Sequence, residues 1–207
     1  SSSGAPMVIP ALNRDGDSHA TLLRLLVLSR NLTQDRSWDL LLRLDGAVGS
    51  RPNASNAPLG RIVRAAAGLA VTPLAPERRT AIDDLIESLR RAEWELPQEA
   101  DDLVCYALGV DGGGTPSFEG SRHLLISPFC SADGVTLTAQ TGRGMLVSRQ
   151  DDLDRLPEES LRGKDAYVIS ELAGLSAEDG DTPGDILAGL HAKAYVIEQG
   201  NQARLLV

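Results

Sequence analysis

Near position 190 the chain reads Leu190-His191-Ala192-Lys193-Ala194-Tyr195-Val196-Ile197-Glu198, a pattern that predicts a β-strand. Successive side chains of a strand point to opposite faces, so His191 and Lys193 are expected to share one face. An imidazole beside an ammonium offers a nucleophile or proton carrier next to fixed positive charge, which attack on a phosphodiester requires. From spacing alone, two solvated polar groups at a strand edge are the more frequent explanation of so short a pattern.

A four-residue sequence occurs twice, because Arg24-Leu25-Leu26-Val27 recurs as Arg204-Leu205-Leu206-Val207. Each copy follows a polar segment rich in turn-forming residues. The second copy has His-x-Lys upstream and stops at Val207. The first copy lacks such a pair but continues into Ser29-Arg30-Asn31. Laid over one another, the two copies make one longer motif.

This composite of His-x-Lys, a turn, an apolar strand and Ser-x-Asn resembles the signature of the phospholipase D superfamily, also called the HKD family. The family places an acid five residues after the lysine, where Glu198 stands for the usual aspartate. It then has Gly-Ser-x-Asn, where the first copy has Leu28 before Ser29 and Asn31. Asp39 looks like the acid that in this family often orients a motif histidine. Segments 31–39 and 125–129 look like those of large bacterial phospholipase-D-like proteins.

The resemblance implies a phospholipase D-like α/β sandwich, in which two pseudo-symmetric halves with mixed β-sheets are covered by helices and the active site lies at their junction. The alternation of strand and helix patterns independently predicts the α/β class. We expect the first half at residues 1–110 and the second at 116–207. The run Asp111-Gly112-Gly113-Gly114-Thr115 is interpreted as a flexible linker between them.

In the mechanism that the resemblance implies, one histidine attacks phosphorus to form a phosphohistidine, a second protonates the leaving oxygen, and neither a metal nor another cofactor takes part. His191 is the candidate for one of these histidines. A first His-x-Lys is expected around Val8 to Asn13, where Pro10 and Ala11 stand instead. Where members carry one motif per chain, the catalytic pair forms across a homodimer axis, which would bring together His191 from two subunits.

The other site roles follow from the same resemblance. Lys193 and Asn31 would stabilise developing negative charge, and Ser29 would donate a hydrogen bond. Asp39 and Glu198 would orient imidazoles or cations. Each residue also has a structural interpretation, since Ser29 and Asn31 could cap a turn, Asp39 could pair with an arginine, and Glu198 could belong to a hairpin.

Composition limits the partners. The formal net charge of -9 argues against a surface that binds nucleic acid everywhere, while a local arginine cluster remains compatible with phosphate binding. No apolar run approaches the roughly 20 residues of a membrane span, and residues 1–7 show no signal-peptide pattern. We therefore expect a soluble, cytoplasmic phosphodiesterase acting on nucleic acid rather than lipid. The alternatives are a phospholipase or small-phosphodiester hydrolase, and a catalytically inactive binding or scaffold module.

The remaining candidate ligands and nucleophiles are few. Cys105 and Cys130 are interpreted as buried, reduced thiols, because two cysteines without tight spacing make neither a disulfide framework nor a zinc site. His19 and His123 are expected to be solvated or hydrogen-bonded groups at strand ends.

The periodicity predicts the order of the elements. Strands are expected at residues 21–28, 38–44, 103–108, 123–129, 145–148, 166–170 and 192–197. Helices are expected from Asn56, from Pro76, and around 150–155 and 157–161. The acidic segment 176–185 is interpreted as an exposed loop.

Overall fold

The structure is a computed structural model that describes residues 7–11 by their backbone, together with residues 21–29, 38–138, 143–169 and 190–207. Its architecture is mixed α/β, with two sheets and five α-helices within these ranges. The chain divides into two compact units. Within the described residues, one unit is formed by Val27–Leu42 and Ser117–Val207, and the other by Met7–Leu26 and Arg43–Pro116.

The first sheet has four strands in the order β1-β2-β3-β4. They are β1 (Met7–Ala11), β2 (Leu22–Leu28), β3 (Leu41–Val48) and β4 (Ala92–Trp94). In β2 the alternate residues Leu23 and Leu25 are buried, and each buried leucine contributes about 1.5–3 kcal/mol relative to exposure. The pairs β1–β2 and β3–β4 are antiparallel.

Two longer helices accompany this sheet, α1 (Ala57–Gly68) and α2 (Pro76–Arg90). Both carry proline in the first turn, where the missing N–H has no intrahelical partner to lose. The buried Asn56 donates through Nδ2 to Ala92 O at 2.7 Å and accepts from Trp94 Nε1 at 3.0 Å. This amide therefore ties the start of α1 to β4.

The second sheet has five strands in the order β7-β6-β5-β8-β9. They are β5 (Arg122–Ile126), β6 (Arg143–Ser148), β7 (Lys164–Val168), β8 (Ala194–Gln199) and β9 (Gln202–Leu206). Strands β5, β6 and β7 are parallel, whereas β8 runs antiparallel to β5 and to β9. The carboxyl ends of the parallel strands therefore lie at the same edge as the amino end of β8.

Three short helices connect the parallel strands, α3 (Ala132–Thr138), α4 (Gln150–Leu153) and α5 (Glu158–Leu161). Side chains from the sheet and from the helices form one apolar cluster. Its buried members are Leu125, Val135, Leu146 and Leu153. Parallel strands need such crossovers, so the cluster follows from the alternation of elements that the sequence predicts.

The strand predicted at 103–108 is wrong. No strand forms there, and Val104 and Leu108 are exposed. Ala107 N donates to Gly113 O at 2.9 Å, so this segment directs its hydrogen bonding into a turn. The short strand β4 was missed, because three residues are too few to show a period.

The glycine run forms a hydrogen-bonded turn just before the division between the two units at Pro116 and Ser117. Gly112 adopts φ 66°, a left-handed conformation that glycine takes without strain. Gly113 N donates to Val110 O at 2.9 Å, and Arg61 Nη1 donates to Asp111 O at 3.2 Å. These contacts define a compact turn within the unit that contains Arg43–Pro116.

Every described helix falls short of the length and apolarity that crossing a membrane demands. Cys105 and Cys130 are free thiols, each half-buried, and burial raises the pKa of both. The expected helix starts near Asn56 and at Pro76 are confirmed, as are the short helices near 150 and 157. The segment 176–185 lies outside the described residues.

Candidate active site

The candidate site lies at the sheet edge where β5 and β6 end and β8 begins. Ile126, the last residue of β5, stands opposite Ala194, the first residue of β8. His191 and Lys193 therefore reach this edge just before β8, while Phe129 and Arg149 reach it just after β5 and β6. In open α/β sheets ligands bind outside the carboxyl ends of the strands.

His191 and Lys193 lie in an irregular segment rather than within the strand predicted at 192–197, since β8 starts at Ala194. The burial of this segment still alternates: Leu190 and Ala192 are buried, whereas His191 and Lys193 are half-buried. The small and apolar side chains thus anchor the segment, and the two polar side chains share the more open positions.

The backbone of this segment is fixed by Trp38. Trp38 O accepts hydrogen bonds from His191 N and Ala192 N, both at 2.8 Å. Trp38 and Leu190 also form an isolated parallel bridge. The segment that carries the His-x-Lys pair is therefore joined to the segment that carries Asp39, within one compact unit.

Ser29 follows the last residue of β2 and is buried. Ser29 N donates to Leu40 O at 3.0 Å, and Leu40 N donates to Ser29 Oγ at 3.0 Å. Ser29 Oγ in turn donates to Asp39 Oδ1. The serine hydroxyl and the aspartate, both predicted as site residues, are therefore hydrogen-bonded to each other.

Lys193 connects the two parts of the composite motif. Its Nζ donates to the backbone carbonyl of Ser29 at 2.7 Å, a contact between residues 164 positions apart. An ammonium has three donors, and the described residues accept one of them in this bond. The carbonyl holds the ammonium in place but does not neutralise its charge, whereas a carboxylate would.

The imidazole of His191 packs against an aromatic ring. The rings of His191 and Phe129 meet edge to face, with centroids 6.2 Å apart and planes at 89°. His191 Nδ1 is buried and has no hydrogen-bond partner in the part of the chain that the structure describes. Burial of a polar nitrogen without a hydrogen bond costs free energy. Nδ1 of His123 is buried in the same way, so the packing on Phe129 and the neighbouring cations, rather than this nitrogen, set His191 apart.

Arg149 is a site residue that sequence reasoning missed. Its Cζ lies 5.3 Å from the centroid of the Phe129 ring, and its Nε and Nη2 donate to Leu190 O at 3.3 and 3.2 Å. A cation over an aromatic face is held by the negative face of the ring. Its position directly after β6 becomes informative only with the strand order, which no sequence motif marked.

Two cations of the candidate site have no carboxylate partner among the described residues. Neither Lys193 nor Arg149 forms an ion pair with any described carboxylate. A protein with a net charge of -9 therefore places two cations without such partners near His191, a combination suited to an anion such as a phosphate ester.

Glu198 lies at the other end of β8. Arg122 Nε and Nη2 donate to its two carboxylate oxygens at 2.7 and 2.8 Å, and the two residues are register partners. The hydrogen bonds from Arg122 lower the pKa of Glu198, and the pair raises the pKa of Arg122. The described side-chain contacts of Glu198 are thus with Arg122 rather than with His191 or Lys193.

The remaining histidines and Asn31 are placed as follows. His123 is only 4% exposed, and its Nε2 lies 3.2 Å from Gly120 O. Of the two expectations for this histidine, a solvated or a hydrogen-bonded group, the second is therefore confirmed. It lies toward the end of β5 remote from the candidate site. Asn31 and His19 lie outside the described residues.

Strand pairing locates the counterpart of the His-x-Lys pair in the first copy of the repeat. Arg24 pairs with Ile9 as Arg204 pairs with Ile197. Positions as far before Ile9 as His191 and Lys193 lie before Ile197 hold Ser3 and Ala5. By this register the first copy has neither side chain at the corresponding positions.

No family model matches the chain, and no curated protein or solved structure is significantly similar to it. Among the residues that the structure describes, no group of three or more histidine, cysteine, aspartate or glutamate side chains is arranged to hold a metal ion.

Proposed function

We propose that the chain is a phosphodiesterase of the phospholipase D type, which hydrolyses phosphodiester bonds of nucleic acid through a phosphohistidine. One observation carries the proposal. Lys193 Nζ contacts the carbonyl of Ser29, so the two parts of a motif that the sequence separates by 164 residues meet beside His191. Coincidental motifs have no reason to meet in space.

In the proposed first step a ring nitrogen of His191 attacks phosphorus. A P–N bond forms while the P–O bond to the leaving group breaks, and the electron pair of that bond goes to the leaving oxygen. Lys193 and Arg149 would neutralise the nonbridging oxygens, because both cations lack a carboxylate partner in the described parts of the chain.

In the second step water attacks the same phosphorus and gives a proton to the histidine that had protonated the leaving oxygen, while the P–N bond breaks and the imidazole of the nucleophile is restored. The leaving oxygen of the first step needs a proton donor, and His123 lies at the wrong end of its strand to supply one. The proposal therefore assigns this proton to His191 of the partner subunit in a homodimer. Asp39 accepts a hydrogen bond from the hydroxyl of Ser29. It would therefore act indirectly, by holding in place the residue whose carbonyl binds Lys193.

A catalytically inactive binding module is the second candidate. Two observations favour it: His191 is the only histidine that the described residues bring to this edge, and Leu28 replaces the family's glycine before Ser29. Such a module would bind a phosphate ester through Lys193 and Arg149 without turnover. A phospholipase or small-phosphodiester hydrolase would use the same cations.

The test supplies labelled single-stranded DNA, duplex DNA, RNA, phosphatidylcholine vesicles and methyl 4-nitrophenyl phosphate in parallel, with and without a chelator. Reactions with phosphorus-labelled substrate are stopped in alkali, where a phosphoramidate survives, and the modified residue is mapped by mass spectrometry. We expect nucleic-acid cleavage and label on His191.

The variant His191→Asn should carry no label, and His123→Asn, the matched control, should keep it. Cleavage with label elsewhere would overturn the mechanism. Turnover of lipid alone would favour the phospholipase, and binding without turnover of any substrate would establish the inactive module.

A further inference from the structure

The ring of Phe129 contacts two residues of the candidate site at once. Arg149 places its Cζ 5.3 Å from the centroid of this ring. The imidazole of His191 meets the same ring edge to face, with centroids 6.2 Å apart and planes at 89°. Phe129 is 54% exposed, and a single exposed aromatic needs no explanation. A ring that lies against both a candidate nucleophile and a candidate cation does need one.

The backbone that carries this ring is fixed by the sheet. Ser127 Oγ donates to Phe129 O at 2.8 Å and accepts from Phe129 N at 3.3 Å. Ser127 is buried, and its own N–H donates to Val147 O at 3.0 Å, which extends the hydrogen bonding between β5 and β6. The position of Phe129 is therefore set by the ends of two strands and does not depend on His191.

The imidazole of His191, in contrast, depends on packing for its orientation. A functional histidine is commonly oriented by a hydrogen bond to one ring nitrogen. Nδ1 of His191 has no such partner in the segments that the structure describes. Its ring instead meets that of Phe129. Aromatic pairs prefer offset or edge-to-face geometry, so this contact favours one orientation of the imidazole.

Arg149 has a second contact that does not involve the ring. Its Nε and Nη2 donate to Leu190 O at 3.3 and 3.2 Å. Leu190 directly precedes His191, so the guanidinium is tied to the same segment through the backbone. Without Phe129 the guanidinium would keep these two hydrogen bonds, whereas the imidazole would lose its aromatic contact. Loss of the ring is therefore expected to affect the histidine more than the cation.

We propose that Phe129 is a positioning residue, which orients the imidazole of His191 beside Arg149. The inference rests on the proposed function for the reaction that the oriented imidazole performs. Because Phe129 acts on the imidazole and not on the ligand, its removal should lower kcat and leave KM unchanged. A ring on which a base of the substrate stacked would instead raise KM, since binding energy would be lost.

The kinetic test compares Phe129→Leu with Phe129→Tyr on the substrate that the wild type cleaves. Phe129→Leu should lower kcat about tenfold, because a misplaced reacting group forfeits part of the advantage of orientation. Phe129→Tyr keeps the ring and should keep the wild-type kcat. Phe118→Leu is the matched control, since Phe118 is the only other phenylalanine and its ring meets that of Tyr195 at 5.9 Å and 71°. This variant should keep the wild-type kcat and KM.

Nuclear magnetic resonance tests the contact without reference to turnover. The chain has three histidines and two phenylalanines, so labelling these two residue types gives few ring signals, and His191→Asn identifies those of His191. The ring protons of His191 should show nuclear Overhauser effects to the ring of Phe129. Their chemical shifts should change in Phe129→Leu and stay the same in Phe118→Leu. Urea unfolding checks that each variant is folded.

A wild-type kcat in Phe129→Leu, with cleavage that still requires His191, would overturn the inference and leave the proposed function in place. A raised KM at unchanged kcat would also overturn it, because the ring would then contact the substrate. If the wild type cleaves no phosphodiester, the proposed function fails and the resonance data decide the inference. Signals of His191 that depend on the Phe129 ring would then support its orienting role, and signals that ignore Phe129→Leu would refute it.

Discussion

At the amino end of β8, Lys193 donates to a backbone carbonyl, whereas at its carboxyl end Glu198 is held by two donors of Arg122. The first arrangement fixes a charge and leaves it without a carboxylate partner among the described residues; the second cancels a charge on the surface. The charges of Arg122 and Glu198 compensate each other, so this ion pair needs no ligand. A cation oriented by a neutral carbonyl is set up to receive one.

The histidines differ in the same way. His123 is buried near the carboxyl end of β8 with its Nε2 against Gly120 O. His191, near the amino end, is half-buried and contacts Phe129 through its ring. We infer that His123 contributes to stability and His191 to chemistry, and the following predictions test this division.

The largest effect is expected for His191→Asn. Cleavage should fall by at least about a thousandfold, because both the nucleophile and its proton chemistry are lost. The free energy of unfolding should fall by no more than about 1 kcal/mol, from loss of the edge-to-face contact between the half-buried imidazole and Phe129. The loss of cleavage is measured as kcat/KM, and the free energy of unfolding is measured by urea unfolding.

The matched control is His123→Asn, which should keep its activity. It should lose about 2 kcal/mol of stability, because the substitution opens space in a buried site and disturbs the bond to Gly120. The opposite pattern, with His123 needed for turnover and His191 for stability, would refute the division between the two ends.

A smaller loss is expected for Lys193→Met. Removing a charge that neutralises the developing anion should lower kcat/KM by about a hundredfold. Lys164 is the only other lysine of the chain, so Lys164→Met is the control and should keep wild-type kinetics. An equal effect of the two substitutions would indicate that only net charge matters, and would remove the argument for a positioned ammonium.

Ser29→Ala tests whether the hydrogen bonds of the Ser29 hydroxyl help to position the carbonyl that binds Lys193. The substitution deletes the donor to Asp39 Oδ1 and the acceptor for Leu40 N. Loss of partners in a buried network should cost about 1–2 kcal/mol of unfolding free energy, read from urea unfolding. Lys193 contacts the backbone of Ser29, which alanine keeps, so activity should fall less than in Lys193→Met. A larger fall would indicate that the hydroxyl contacts the substrate.

The smallest effect is expected at the carboxyl end, for Glu198→Gln. Arg122 lowers the pKa of Glu198 from its ordinary 4.5, so the ion pair stabilises the fold at neutral pH. That contribution disappears as the pH falls below 4.5 and the carboxylate is protonated. Thermal unfolding should therefore show a small difference from wild type at pH 7 and none at acid pH, with unchanged turnover. A loss of activity in Glu198→Gln would instead indicate that Glu198 contributes to the candidate site.

Local pattern predicted the helices well. Pro76 marks the start of α2, and the apolar spacing that followed, with Ile86 and Leu89 buried, sufficed to identify it. The strand expected at 103–108 failed because its apolar residues have no neighbouring strand, and pairing depends on residues distant in sequence. Of the glycines that follow, Gly112 and Gly114 adopt left-handed backbone in a turn.

The candidate site could be predicted only in part. Spacing singled out His191 and Lys193, the resemblance to the phospholipase D signature added Ser29 and Asp39, and the structure brings the four residues into one set of connected segments. Arg149 could not be found by motif, because only strand order places the residue after β6 beside the segment before β8. Glu198 fitted the motif by spacing, yet its carboxylate is bound by Arg122.

The bond between Lys193 and Ser29 spans 164 residues, and this separation bears on when the proposed activity would appear during folding. Closing so long a loop carries an entropic penalty that only consolidated structure on both sides can offset. We therefore expect catalytic competence to emerge late during refolding, after secondary structure has formed, which makes turnover a sensitive reporter of complete tertiary assembly.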